Sequence, residues 1–175
     1  MTTPTGREVF FDRTDLIVSK TNLKGHITYA NKTFMDVSDY TEAEVIGNPH
    51  NMIRHPDMPR CVFKLLWETI ASGTEIFAYV VNLTKHGDHY WVIAHVTPSF
   101  DASGAIVGYH STRRVPNAET VKSVIKPLYQ NLAQIEKNTA DRKAGLTKSH
   151  EILMQILGEK NVRYDEFVAN LAKAA

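Results

Sequence analysis

Cysteine is almost absent from this chain of 175 residues, which contains a single one, Cys61. One cysteine cannot form an intrachain disulfide, so the fold must depend on its apolar core, and a reducing compartment is the natural setting. The sequence also lacks an apolar run of about 18 residues that could cross a bilayer and an apolar signal segment at its N-terminus. We therefore expect a soluble, cytoplasmic protein that does not insert into a membrane.

A bias of charge is also missing. Lys and Arg total 20 against 19 for Asp and Glu, which gives a net charge of +1. Such a balance provides no general attraction to nucleic acid or to an anionic membrane surface. No glycine-rich phosphate loop, paired-carboxylate site or nucleophile with an adjacent base stands out either. We therefore expect neither a nucleic-acid-binding protein nor an enzyme.

Metal-ligand patterns are equally sparse. A zinc site would need a second cysteine or a tight set of histidines and carboxylates. His86 and His89 are close in the sequence, but they frame a turn that should face water. We predict no bound metal ion.

Apolar residues make up 43% of the chain, which is enough for one domain with a helical appendage. Residues 1–14 are polar up to Phe10 and Phe11, and they predict a flexible leader whose apolar end docks on its own domain or, as the alternative, on a partner. We place the core of the domain at 15–116 and a C-terminal helical extension at 117–175.

Five segments have the composition of β-strands. Residues 15–20 and 26–30, separated by a turn, predict a β-hairpin. Three further segments are rich in Val, Ile, Thr and aromatic residues and are joined by turn-forming residues: 75–84, 89–100 and 105–115. With the helices between the two groups, this order predicts an α+β fold in which a five-stranded antiparallel sheet has one face covered by a helical insert.

Helical signals fill the interval between the two groups of strands. Asn31 is placed to cap a short helix, and residues 41–44 have the spacing of a capping box for a second one. Pro59 suits the first turn of a third helix. Its apolar residues, Trp67 among them, recur at helical spacing until Gly73 ends it.

The connector before this third helix, HNMIRHPDMP at 50–59, is the most unusual segment of the chain. It contains two imidazoles, a guanidinium and a carboxylate, and its two prolines hold the residues before them in extended conformations. A stiff, cationic connector indicates a ligand with phosphates or with a polar aromatic edge. The alternative is an ion pair between Arg54 and Asp57 that only holds the connector in place.

The C-terminal extension has a helical pattern. Asn117 caps a predicted helix in which Pro127 should cause a kink. Gly145 predicts a break before another apolar segment, and a last helical piece contains Tyr164. The apolar faces of these helices must cover the free face of the sheet, a second copy of the chain in a homodimer, or another protein.

Five motifs resemble those of a PAS domain. They are ITYAN at 27–31, VSDY at 37–40, HNMIRHPDMP at 50–59, KHGDHYWV at 85–92 and GY at 108–109. More narrowly, the chain resembles the flavin-binding PAS domain of Aer-type aerotaxis and energy-taxis receptors. The resemblance covers roughly 15–129, and its most specific parts are the connector and GDHYWV. It implies the PAS fold.

The resemblance also implies a non-covalently bound FAD in the cleft between the helical insert and the sheet, whose redox state reports oxygen or electron transport. Arg54 and His55 would then bind the pyrophosphate and Trp67 the adenine. The walls and polar edge of the isoalloxazine site would come from residues in the first helix and the sheet: Asn31, Asn82, Tyr90 and Trp91. The connector residues His50, Asn51 and Asp57 complete the predicted cofactor site.

Purely structural roles are the alternative for several of these residues. Asn31 is most simply a helix cap, and Trp67 has the spacing of a core residue. Tyr90 and Trp91 are adjacent in a strand and therefore point to opposite faces of the sheet. Only one of these two residues can line the cleft.

Other functions stay open at this point. Some PAS domains are gas sensors that bind haem through an axial histidine, for which His50 or His55 is available. A PAS domain can also be an interaction or dimerisation module without a cofactor. The surroundings of Cys61 do not match the reactive-cysteine motif of light-sensing flavin domains.

The membrane segment and coiled-coil signalling domain of Aer-type receptors have no counterpart in the sequence. The resemblance therefore implies a stand-alone PAS protein. Such a protein would signal by contact with a chemotaxis-type transducer or another signalling protein.

Overall fold

Five antiparallel strands form a single sheet in the order β2-β1-β5-β4-β3 in the computed structural model, which describes residues 2–173. The strands are β1 Ile17–Thr21, β2 Ile27–Ala30, β3 Ile76–Leu83, β4 His89–Phe100 and β5 Ile106–Arg114. The predicted α+β fold and its five-stranded antiparallel sheet are confirmed. The chain passes from β2 at one edge to β3 at the other through the helical insert, which covers one face. We call this face the inner face.

The insert consists of α1 Lys32–Ser38, α2 Glu42–Val45, a 3₁₀ turn at His50–Ile53, and α3 Arg60–Ala71. Local capping begins the first two helices as predicted. The side chain of Asn31 accepts a hydrogen bond from the Phe34 amide at 3.0 Å, and Thr41 forms a capping box with Glu44. α3 starts directly after Pro59, and it buries Val62, Leu66 and Ile70 against the sheet.

The C-terminal extension contains α4 Ala118–Thr120, a π-helical segment Val121–Ile125, α5 Lys126–Asn138, α6 Arg142–Glu159 and α7 Tyr164–Lys173. Pro127 lies in the first turn of α5 rather than inside a regular helix. Directly before it, the Lys126 amide bonds to the Val121 carbonyl, five residues back. The kink expected at Pro127 is thus replaced by this wider π turn directly before the proline. Pro127 itself has no amide N–H to donate a helical hydrogen bond.

The break predicted at Gly145 is wrong, because α6 runs through this residue without interruption. A Cβ at Gly145 would lie 3.1 Å from the backbone oxygen of Glu136 in α5 and 3.2 Å from the Cβ of Thr139. The missing side chain allows α6 to approach α5 closely. Gly145 therefore serves helix packing, and the sequence pattern alone does not distinguish this role from a break.

Helices α5 and α7 pack on the outer face of the sheet. The Tyr129 hydroxyl donates to the backbone carbonyl of Tyr79 in β3 at 2.6 Å and lies 2.9 Å from the Tyr164 hydroxyl in α7. Of the three coverings predicted for the helical extension, the observed one is the sheet of the same chain.

The leader lies along the start of β4. The Thr5 amide donates to the Gly87 carbonyl at 2.8 Å, and the Val9 amide donates to the His89 carbonyl at 2.8 Å. Arg7 forms an ion pair with Asp88. Residues 5–9 are thus docked on their own domain, while the division of the chain at 14/15 and 116/117 stays a prediction. Between residues 2 and 173, no helix combines the length and hydropathy needed to cross a bilayer.

Candidate functional site

A cavity lies between α3 and the inner face of the sheet, with an empty volume of about 560 Å³ including its open mouth. Most of its wall is apolar and comes from α3 and from alternate residues of three strands: Phe63, Leu66, Trp67, Ile70, Val80, Ala94, Val96 and Tyr109. Small-molecule sites are typically apolar concavities with a few placed polar groups. The cavity has the apolar lining of such a site, and a small set of polar side chains borders it.

Arg113 is the main polar residue of the cavity, although only 4% of it is exposed. Its Nη2 donates to Ser19 Oγ at 2.9 Å and lies 2.6 Å from His50 Nε2. Burial and the neighbouring guanidinium lower the pKa of His50 to about 3. His50 is therefore neutral at physiological pH, and its Nε2 accepts the hydrogen bond from Arg113.

Several buried polar atoms around the cavity have no hydrogen-bond partner in the described part of the chain. Three belong to cavity-lining residues: Asn82 Nδ2, Ser111 Oγ and Arg113 Nη1. The hydroxyl of Tyr90 is a fourth, and Tyr90 pairs across the strands with Asn82 and thus shares its face of the sheet. An unsatisfied buried polar group costs about 1–3 kcal/mol, so this cluster offers hydrogen-bonding groups to a ligand or to water.

Strand alternation separates the two aromatic residues that were predicted for this site. Tyr90 is fully buried on the inner face, whereas the ring of Trp91 lies on the outer face, 6.0 Å from the ring of Tyr129. The prediction that only one of them faces the cleft agrees with this arrangement, and that residue is Tyr90. Trp91 cannot line the cavity, because neighbouring residues of a strand point to opposite faces.

Asn31 is a helix cap, which was the alternative to its predicted contact with the cofactor. Its Oδ1 accepts from the amides of Phe34 and Val18, both at 3.0 Å, and its Nδ2 donates to the Leu16 carbonyl at 2.7 Å. These bonds cap α1 and join it to β1. Asn31 does not line the cavity, so its predicted contact with an isoalloxazine has no support here.

Trp67 lies at the mouth of the cavity and is 38% exposed, more than a core residue would be. The edge of its indole meets Tyr109 at a ring distance of 5.5 Å. A Cβ at Gly25, whose φ is +78°, would lie 3.1 Å from the Trp67 ring. Gly25 thus allows the β1–β2 turn to pack against the indole while part of the ring stays open to a ligand.

The connector residues divide between two sides of the molecule. His50 lines the cavity, whereas Asn51, Arg54 and His55 line a wide groove between the connector and helices α5 and α6. The guanidinium of Arg54 lies 4.2 Å above the ring of Phe63, which itself lines the cavity. The contact between Arg54 and Phe63 therefore lies between the groove and the cavity.

The ion pair between Arg54 and Asp57, our alternative for the connector, is wrong. Asp57 pairs instead with Lys137 of α5 at 2.8 Å, while Arg54 Nη2 donates to the Met58 carbonyl at 3.1 Å. The 3₁₀ turn and the prolines direct the two side chains away from each other. Burial lowers the pKa of Arg54 and also that of His55, whose Nδ1 accepts from the Asp57 amide at 3.1 Å.

Sequence reasoning missed Ser19, Ser111 and Arg113. A signal for two of them was present in β5, where Tyr109, Ser111 and Arg113 alternate along one face of the strand. Only the fold reveals that this face is the inner one. Within residues 2–173, no group of three or more His, Cys, Asp or Glu side chains is placed to hold a metal ion.

Two named relatives share part of the sequence. The aerotaxis receptor of Escherichia coli K12 is 42% identical over 138 residues, which cover 75% of this chain and 27% of the receptor. A nitrogen fixation regulatory protein of Klebsiella pneumoniae is 22% identical over 59% of this chain and 21% of its own length. The chain thus spans about a quarter of the length of these relatives.

A solved structure of a light-oxygen-voltage domain, from a study with a flavin analogue, has the same fold. It superposes with a TM-score of 0.56 at 18% identity and covers 64% of this chain and 84% of its own. The PAS fold family matches residues 27–113, from β2 nearly to the end of β5. The resemblance carried by the five motifs is confirmed, and the chain belongs to the PAS family.

Proposed function

We propose that this protein is a redox, oxygen or energy sensor that binds FAD non-covalently and signals by protein–protein contact, in aerotaxis or energy taxis. The observation that supports it most directly is the set of unpartnered buried donors around an apolar cavity. An isoalloxazine ring has an apolar body and an edge of carbonyl oxygens and ring nitrogens, which matches this combination.

The ring would lie between α3 and the inner face of the sheet. Asn82, Ser111 and Arg113 would donate to its polar edge with the atoms that now lack partners. Tyr90 would support Asn82 from the neighbouring strand. These assignments keep two predicted residues, Asn82 and Tyr90, and add two that the sequence did not indicate.

The dinucleotide end would follow Phe63 from the cavity into the groove. Arg54 suits the pyrophosphate, because the bond to Met58 is the only hydrogen bond that its guanidinium makes within residues 2–173. His55 and Asn51 line the same groove. Trp67 offers adenine an exposed indole at the mouth of the cavity.

A bound flavin supplies reversible electron uptake, which changes the charge and protonation of its ring. The amide of Asn82 would reorient in response, exchanging its interaction with the Tyr90 hydroxyl on the neighbouring strand for one with the ring. Asn82 belongs to β3, whose Tyr79 carbonyl is bonded to Tyr129 of α5. A change at Asn82 would thus reach the helices on the outer face and, through them, a transducer or another signalling protein.

Haem fits this site less well. His50 is the histidine in the cavity, and its Nε2 is already engaged by Arg113 at 2.6 Å. Axial ligation would require this nitrogen and would leave the buried guanidinium with fewer partners. His55 lies in the groove rather than in the apolar cavity.

The absorption spectrum of the purified 175-residue chain, before and after reconstitution with FAD, tests the proposal. We expect flavin bands in the blue and near-ultraviolet and release of FAD on denaturation. A Soret band would indicate haem instead. The absence of both after reconstitution would contradict the proposal and favour a cofactor-free interaction module.

Site variants test the residue assignments in the same assay. Asn82→Ala, Arg54→Ala and Trp67→Ala should each lower the bound FAD, and Asn131→Ala, which changes an exposed asparagine of α5, is the control. If all three variants bind as much FAD as wild type, these residue assignments are wrong.

A further inference from the structure

Glu136 is a buried carboxylate that borders the groove, although none of the proposed flavin contacts involves it. It lies near the end of α5 and is 9% exposed. Its Oε2 accepts from the backbone amide and the Nε of Arg60, both at 3.0 Å. Its Oε1 accepts from the Cys61 amide and from Ser149 Oγ, both at 2.9 Å. One carboxylate therefore receives four hydrogen bonds from two other helices.

α3 needs such a partner because of how it begins. Its N-cap is Pro59, which has no side-chain acceptor, so the first amides of the helix have no local cap. Glu136 supplies the cap from 76 residues farther along the chain, and a negative charge at a helix N-terminus is favourable. Burial by itself would raise the pKa of Glu136, but these donors outweigh it, and the pKa is lowered. The group that caps α3 is thus the carboxylate.

The contact of α6 is equally specific. Ser149 donates to Glu136 and is fully buried. Gly145, one turn earlier on the same helix, allows the backbone of α6 to approach the backbone of Glu136. Three helices therefore meet at this side chain.

α3 is also the helix that forms one wall of the cavity, through Phe63, Leu66, Trp67 and Ile70. We propose that Glu136 is a positioning residue that couples α3 to α5 and α6, so that a ligand in the cavity changes how firmly these two helices pack. The ligand in this inference is FAD, so the inference rests on the proposed function. Coupling of this kind is reciprocal: whatever loosens α5 and α6 must weaken ligand binding by the same factor.

A second link between the same regions is much weaker. The pair formed by Asp57 and Lys137 also joins the segment before α3 to α5, but both side chains are more than half exposed. Exposed ion pairs contribute little because water screens them. The buried carboxylate is therefore the stronger connection.

Amide hydrogen exchange of the full chain without cofactor tests the link itself. In Glu136→Ala, the amides of residues 60 and 61 should exchange at least about tenfold faster, which is the size expected for loss of a helix cap alone. Glu136→Gln keeps the volume and one acceptor oxygen and should lie between Ala and wild type, which allows the test even if the alanine variant folds poorly. Glu151→Ala removes an exposed carboxylate from α6 and is the control. Unchanged exchange at 60 and 61 in both Glu136 variants would overturn the inference.

Added FAD tests the coupling. In wild type, FAD should slow exchange in α3 and also at 146–153 of α6, a stretch that does not line the groove, and the protection at 146–153 should be lost in Glu136→Gln. If FAD protects α3 alone in wild type, the coupling is wrong while the proposed function stands. If FAD does not bind, the proposed function and its coupling both fail, whereas faster exchange at 60 and 61 would still establish the capping role.

Discussion

Two buried polar regions of this protein differ in how their groups are satisfied. At Glu136, both carboxylate oxygens have two donors each, all from the chain itself. Around the cavity, Arg113 is charged and buried without a carboxylate partner, and donors of Arg113, Ser111 and Asn82 are unpaired within residues 2–173. A satisfied buried group stabilises the fold by itself, whereas an unsatisfied one can still bind a ligand or water. Substitutions at the two regions should therefore have opposite effects on stability.

The largest effect is expected at Glu136. In Glu136→Ala, two buried amides and the Arg60 guanidinium lose their acceptor, so the free energy of unfolding should fall by about 3 kcal/mol. Urea unfolding of the cofactor-free chain measures this change. A loss below about 1 kcal/mol would mean that water replaces the carboxylate, and the contrast between the two regions would disappear.

Arg113→Met should separate stability from binding. The substitution removes a buried charge that has no carboxylate partner within residues 2–173, and the 3.3 Å contact between Ser19 and His50 stays available. We expect the cofactor-free chain to gain about 1–3 kcal/mol, by analogy with the replacement of buried ions by apolar residues of similar volume. FAD affinity should drop at least about tenfold, because a hydrogen bond to a charged group is lost. A clear loss of stability without FAD would mean that Arg113, like Glu136, stabilises the fold itself.

His50 should make stability depend on pH. Its pKa is about 3 in the folded protein, below the ordinary value of 6.5, because of burial and Arg113. Between these values the unfolded chain binds a proton that the folded chain does not, so stability is complete above about pH 6.5 and falls as the pH decreases toward 3. The contribution of this one group has a slope of at most about 1.4 kcal/mol per pH unit.

Unfolding measurements from pH 7 to pH 5 test this expectation. His50→Gln, which keeps an acceptor for Arg113, should have a smaller slope than wild type. His86→Gln, a change of an exposed side chain in the β3–β4 turn, is the matched control. Equal slopes for wild type and His50→Gln would show that His50 binds protons equally in the folded and unfolded chains, so that folding does not lower its pKa.

Two glycines of α6 provide the smallest and most local test. Gly145→Ala should cost about 1 kcal/mol, because the new Cβ would press against the backbone of Glu136. Gly158→Ala has nothing within 4 Å of the new Cβ and should stabilise the chain by about 0.5–1 kcal/mol through helix propensity. Thermal unfolding of both variants measures the difference. The same sign for both would mean that the approach of α6 to Glu136 is not tight.

Local rules explain what the sequence could predict. Strand composition, turn residues and caps such as Asn31 and Thr41 depend on near neighbours, and they gave the sheet and the start of each early helix. Alternation likewise required Tyr90 and Trp91 to face opposite sides. Which of the two faces the cavity depends on the strand's place in the sheet, and no local signal contains that information.

The site depended more on distant contacts, and there prediction was weaker. Asp57 and Arg54 are neighbours in the sequence, but Asp57 pairs with Lys137 from the helical extension. Gly145 has the composition of a break, yet its role is set by Glu136 on another helix. Arg113 looked like an ordinary strand residue because its partners Ser19 and His50 lie 94 and 63 residues away.

The proline that begins α3 has a consequence for the order of folding. A helix without its own cap depends on residue 136, which leaves the ribosome long after the sheet strands have been made. Until then the N-terminus of α3, the helix that contributes Trp67 to the cavity wall, lacks its cap. We therefore expect early folding of the domain to stop at a sheet with a frayed α3. The smallest unit that forms a complete cavity therefore extends well beyond the last strand and includes α5.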